Sequence, residues 1–182
     1  MTYMKSPWKT LSSRIAYQTP YIKIREDQVI RPDGKPGIYS VLDHPPAVFV
    51  VALTDKEEIY LVDLYRYPTA RMSLELPAGS TDGEDVIASA SRELQEETGL
   101  TAQKFERIGE FQSYNGIANE LSVVVIATGL TQGKTNSKKE EGIESVKKYT
   151  MQQIMDLIKT GKLTDGQSIA ALTQALIYLK KI

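Results

Sequence analysis

The sequence predicts an α/β (α+β) chain: a mixed sheet with helices on its faces, preceded by an antiparallel β-hairpin region. Three observations carry this. Runs rich in β-branched and aromatic residues fill the first third of the chain and return after Gln103. A Gly- and Pro-free segment, Asp85 to Thr98, separates them. Two amphipathic stretches close the chain. Strands, one central helix, strands and terminal helices imply a sheet that must bury both faces.

The elements follow in order. Tyr21–Ile30 and Gly37–Asp43 flank "RPDGKP", whose Asp33-Gly34 pair suits a hairpin turn. Pro45-Pro46 marks a seam, dividing an N-terminal β region (1–45) from a main domain (46–182). "AVFVVAL" is continuously apolar, as a strand covered on both faces should be. "IYLVDLYRYP" reads as the next buried strand. Beyond the central helix, "KFERIGEFQSY" and "NELSVVVIATGL" are strands around the loop "SYNGIAN". "TQGKTNSKKEEG" reads as a mobile loop and "ESVKKYT" as a last strand. Met151–Thr160 is a helix ended by Gly161. The final helix runs from about Gln167 to Lys180, with Ile169, Leu172, Leu176 and Leu179 on one stripe.

Composition bounds the function. A chain of 182 residues suits one compact domain with at most a small appendage. Its 41% hydrophobic and 25% charged residues are ordinary for a globular protein. A net charge of −1 gives nothing to steer it to nucleic acid or an anionic membrane. The absence of cysteine excludes disulfides, thiolate zinc sites and a cysteine nucleophile. The first residues lack the apolar core of a signal peptide, and no window reaches the length of a membrane span. A cytoplasmic protein is the expectation.

The central helix carries the chemistry. Five carboxylates fall within the fourteen residues from Glu84 to Glu97. At 3.6 residues per turn Glu93 and Glu97 lie one above the other, with Glu96 beside them. Arg92 can pair with Glu96, but like charges at i,i+4 cost roughly 0.2–0.5 kcal/mol, and acids near a helix C-terminus oppose the dipole. A divalent cation would reverse that cost. Hard oxygen donors on one rigid helix suit Mg²⁺ or Mn²⁺, which also take phosphate oxygens as ligands.

"AGSTDGEDVIASASRELQEETGL" resembles the Nudix box, a glycine loop and helix of the pattern G-x5-E-x7-R-E-U-x-E-E-x-G-U, where U is aliphatic. Arg92, Glu93, Leu94, Glu96, Glu97, Gly99 and Leu100 match, and Glu84 stands at the required distance before Arg92. The loop is one residue short, with four residues between Gly79 and Glu84. "LYRYP", "LELPAGS", "SYNGIANE" and "GKLTDGQSIAAL" extend the resemblance toward the ADP-ribose pyrophosphatase branch. That resemblance implies an α/β/α sandwich and a homodimer in which the N-terminal region is the dimerisation element. It also implies metal-dependent hydrolysis of ADP-ribose or a related nucleoside diphosphate sugar to a nucleoside monophosphate and a sugar phosphate. A GDP-sugar or dinucleoside polyphosphate hydrolase, and a non-catalytic nucleotide sensor, are the alternatives.

By resemblance, Glu93, Glu97 and the Ala78 carbonyl hold Mg²⁺ (or Mn²⁺), joined by Glu141 from the loop before the last strand. Glu96 is a ligand or a supporting acid. Glu84 and Arg92 brace loop against helix. Arg66, Ser80 and Glu120 contact substrate. Relatives place a base carboxylate where this chain has Lys138 and Lys139, which leaves Glu140, Glu120 and metal-bound hydroxide as candidates for the base. His44, the single histidine, reads as structural.

Overall fold

Strand pairing begins before Tyr21, where the sequence shows no strand pattern. In the computed structural model, which describes residues 6–133 and 142–182, β1 (Lys9–Gln18) pairs antiparallel with β2 (Lys23–Ile30). Its register slips twice, at Thr10/Ser12 and Ile15/Tyr17, and each slip breaks the period-two alternation by which a strand is recognised. All ten of its residues are exposed. β2 turns into β3 (Pro36–Leu42) through Asp33-Gly34, with Gly34 at φ 80° and the Arg31 N–H donating to the Lys35 carbonyl at 2.8 Å.

The chain divides into two compact units, one taking the chain up to Pro45 together with Tyr114–Glu120. That segment is fastened to β3 by the Leu42 N–H on the Ile117 carbonyl and the Tyr39 hydroxyl on the Gly116 carbonyl, both at 2.7 Å.

The second unit holds the other elements. β4 (Ala47–Ala52), β5 (Glu58–Arg66), β6 (Arg71–Glu75) and β7 (Ala78–Ser80) lead into α1 (Val86–Glu93). β8 (Leu100–Thr101), β9 (Lys104–Phe111), β10 (Ser122–Thr128), β11 (Thr131–Gln132) and β12 (Ile143–Thr150) precede α2 (Met151–Lys159) and α3 (Gly166–Tyr178). One sheet has the order β7-β4-β10-β9, with β4 and β10 parallel and the other pairs antiparallel. An antiparallel sheet has the order β12-β5-β6.

Every residue of β4 is buried because both sheet faces are covered. Val48, Val50 and Ala52 join Val123 and Val125 of β10 in packing on Ala90 of α1 and Leu94. The alternate residues, Phe49, Val51, Val124 and Ile126, pack with Ile154 of α2 and with Leu172, Ala175 and Leu176 of α3. This is an α/β/α sandwich with α1 on one face and α2 and α3 on the other. Among the described residues no helix is long and apolar enough to cross a membrane.

The central helix departs from expectation at its end. Asp85 caps α1, accepting from the Ile87 and Ala88 N–H groups at 2.9 and 3.2 Å. From Leu94 to Thr98 the coil widens into one π turn rather than continuing as α-helix. The Thr98 hydroxyl donates to the Leu94 carbonyl one turn back, at 2.5 Å. Gly99 then ends the element at φ 78°. α3 spans Gly166–Tyr178, one residue earlier at its start and two shorter at its end than the sequence predicts.

The short loop of the box closes as a tight turn. The Glu84 N–H donates to the Thr81 carbonyl at 2.7 Å, and the central residues Asp82 and Gly83 lie at φ 48° and 85°. Positive φ at both centres is the type I′ arrangement, which Asp-Gly adopts readily. A Cβ at Gly83 would meet nothing within 4 Å, so a substitution there acts through the backbone alone. Gly83→Ala should lower stability by about 1 kcal/mol in chemical denaturation, and Gly83→Asn by less, because asparagine tolerates the left-handed region.

Candidate active site

The site grows from Glu75, Leu76, Pro77 and Ala78, where β6 passes into β7, and each of them is held. The Glu75 carboxylate, 6% exposed, receives the Arg66 guanidinium at two points, Nε to Oε1 at 3.0 Å and Nη2 to Oε2 at 2.6 Å. The Leu76 N–H donates to the fully buried Ser168 hydroxyl of α3 at 2.9 Å. The Pro77 carbonyl accepts from the Val50 N–H at 2.8 Å. The Ala78 N–H donates to Glu97 Oε2 at 3.1 Å. A loop that would otherwise sample many conformations is fixed next to the acidic helix.

Gly79 makes the approach of loop and helix possible. A Cβ there would fall 2.2 Å from Glu93 Oε1, deep inside contact distance. Glu93 and Glu97 are 5% and 3% exposed, an unusual degree of burial for two acids four residues apart. Glu96 stays near the surface, its Oε2 accepting from Arg92 Nη1 at 3.2 Å.

Arg92 ties the pieces together. Its guanidinium donates to Glu93 at 2.6 Å, to Glu84 at 3.2 Å and to the Ser80 carbonyl at 2.9 Å, besides Glu96. Desolvation works against its charge, but the field of Glu93 and the hydrogen bonds from Glu84, Glu93 and Glu96 outweigh that and raise its pKa above the ordinary arginine value. Arg66 is likewise shifted up, first by its hydrogen bonds to Glu75; desolvation opposes, and the charges of Glu75, Glu97 and Asp165 add to the rise. The Ser80 hydroxyl donates to Asp82 at 2.8 Å within the turn.

Glu120 belongs to the N-terminal unit. There its Oε2 lies 3.1 Å from His44 Nδ1, which is also 2.8 Å from the Pro45 carbonyl. Both neighbours of Nδ1 are acceptors, so this nitrogen carries the hydrogen. Glu140 and Glu141, with Lys138 and Lys139, lie outside the described residues. Sequence reasoning missed Glu75, whose signal was a lone acid in the apolar run "LELPA", and Ser168, which nothing local distinguishes.

Among the described residues no three acidic or histidine side chains form a cation cage by themselves. The donors present nonetheless fit a hard divalent cation. Two buried carboxylates converge on a backbone segment of hard oxygens, in a cradle that a side chain at position 79 would fill.

The chain belongs to the Nudix family of hydrolases: the NUDIX domain matches residues 43–172, and the nucleoside diphosphate sugar hydrolase N-terminal domain matches residues 8–42. Among its relatives is the ADP-ribose pyrophosphatase of Bacillus subtilis (strain 168), 32% identical over 167 residues and 90% of each chain. The methanol dehydrogenase activator of Bacillus methanolicus is 30% identical over 166 residues, covering 90% of this chain and 89% of that one. A crystal structure of an ADP compounds hydrolase shares the fold, with a TM-score of 0.85 at 20% identity over 99% of this chain and 98% of the other.

Ser168→Ala would leave the buried Leu76 N–H without its acceptor. The expected loss is about 1–3 kcal/mol in urea denaturation. Ser168→Thr, which keeps the hydroxyl, should recover part of it.

Proposed function

We propose that this protein hydrolyses the pyrophosphate of ADP-ribose or a related nucleoside diphosphate sugar, releasing a nucleoside monophosphate and a sugar phosphate. The observation that carries this reading is the burial of Glu93 and Glu97 against the glycine loop. Folding tolerates such a pair when a cation takes up the charge. The names of the relatives and of the matched N-terminal domain supply the substrate class.

Mg²⁺ or Mn²⁺, held by Glu93, Glu97, the Ala78 carbonyl and Glu141, would neutralise the diphosphate and lower the pKa of the attacking water. The chain's own groups do the rest. Glu75 and Ser168 hold the segment that presents the Ala78 carbonyl. Arg92 and Glu84 keep loop and helix in register, and Glu96 supports Arg92. Arg66 and Ser80 contact the substrate. The candidates for the base that takes the proton from the attacking water are Glu140 and Glu120, and without either the metal would itself have to supply the hydroxide. β1 exposes Leu11, Ile15 and Tyr17, with Trp8 beside it, which supports a second copy of the chain as the partner of the N-terminal region.

Phosphate released after phosphatase coupling, across a panel of nucleoside diphosphate sugars with Mg²⁺ or Mn²⁺, tests the reading; a protein that cleaves none of them is not this hydrolase. Glu97→Gln should lower kcat by about 10²-fold or more without loss of fold, since electrostatic terms dominate phosphoryl chemistry. Millimolar metal should raise the Tm of the wild-type protein and raise that of the Glu97→Gln variant less.

A further inference from the structure

Arg66 and Arg71 stand directly opposite each other in the β5–β6 ladder. Cross-strand partners share a face and bring their Cβ atoms to about 5 Å, and like charges so placed are destabilising. Between them lies only the exposed tip, the 3₁₀ turn Tyr67–Thr69 and Ala70 at φ 52°. The register places Glu75 on the same face, opposite Val62. One carboxylate therefore answers two guanidinium groups, and its two oxygens are both taken by Arg66. Arg71 forms no ion pair among the described residues; its Nη2 donates to the neutral Thr164 hydroxyl at 3.2 Å, and the residue is exposed.

Arg66 is paired with a buried acid and also feels the charges of Glu97 and Asp165, whereas Arg71 forms no ion pair among the described residues. An anion placed across the neck would be attracted by Arg71 and bound by its planar fork. The same face of the hairpin runs through Glu75 into the segment that meets Glu97.

We propose that Arg71 is a second anion-binding residue of the active site, contacting a phosphoryl oxygen of the substrate's diphosphate from the strand opposite Arg66. The proposal rests on the diphosphate-cleaving reading, and its test uses a probe that does not depend on which sugar or base is cleaved.

The probe is inorganic pyrophosphate, titrated calorimetrically into the full-length protein at fixed Mg²⁺, for the wild type, Arg71→Met and Arg71→Lys. Methionine keeps most of the stem and removes the charge. Arg71→Met should weaken binding about tenfold or more, as expected for loss of a charge-assisted hydrogen bond. Arg71→Lys should lie between, because an ammonium keeps the charge without the fork. On a sugar nucleotide that the wild type cleaves, Arg71→Met should raise KM by a similar factor and leave kcat within about twofold, with unchanged Tm. Equal pyrophosphate affinity in all three proteins, or a wild type that binds none, overturns the assignment. Failure of the wild type on the sugar panel, with pyrophosphate binding still dependent on Arg71, would overturn the substrate reading and leave the anion site standing.

Discussion

The constraint on which the site depends is the burial of two like charges in one helical turn. Glu93 and Glu97 are almost entirely removed from water, where an isolated carboxylate pair would pay a large desolvation cost. Around them the chain gathers compensation: the Ala78 N–H on Glu97, the Arg92 guanidinium on Glu93, and the charge of Arg66 within reach of Glu97. The missing side chain at Gly79 is part of the same solution, because any Cβ would displace the Glu93 carboxylate. Loop, helix and hairpin are placed by their relation to these two acids.

The compensation is unequal between the acids in the box. Glu84 and Glu96 sit with Arg92 nearer the surface, and their ion pairs resemble ordinary screened contacts. Three glutamates that look equivalent in "RELQEE" thus occupy two environments, a buried pair and a surface partner of arginine.

Much of this was legible in the sequence because the signals were local. "AVFVVAL" and "SVVVIA" are continuously apolar because helices cover both faces of their sheet. The box shows its acids and its terminal Gly99 directly, and Asp33-Gly34 announces a turn. What stayed hidden was either irregular or distant. β1 conceals its pairing behind two bulges and an exposed surface. "RMSLE" is too short to show a period, so the Arg66–Glu75 pair could not be foreseen. The π turn is a local change of backbone pitch, which the spacing of residues does not reveal.

Ser168 reaches back across 92 residues to the Leu76 N–H, and this span has a consequence for the order of synthesis. A nascent chain that has emerged as far as α2 already contains the whole acidic helix and its glycine loop. It lacks the hydroxyl that fixes the residue two positions before Ala78. The holds that Val50, Glu97 and Arg92 place on this loop all come from chain that has already emerged. The Leu76 N–H gains its acceptor only when α3 leaves the ribosome and docks on the sheet, so the last fastening of the loop waits for the C-terminal helix.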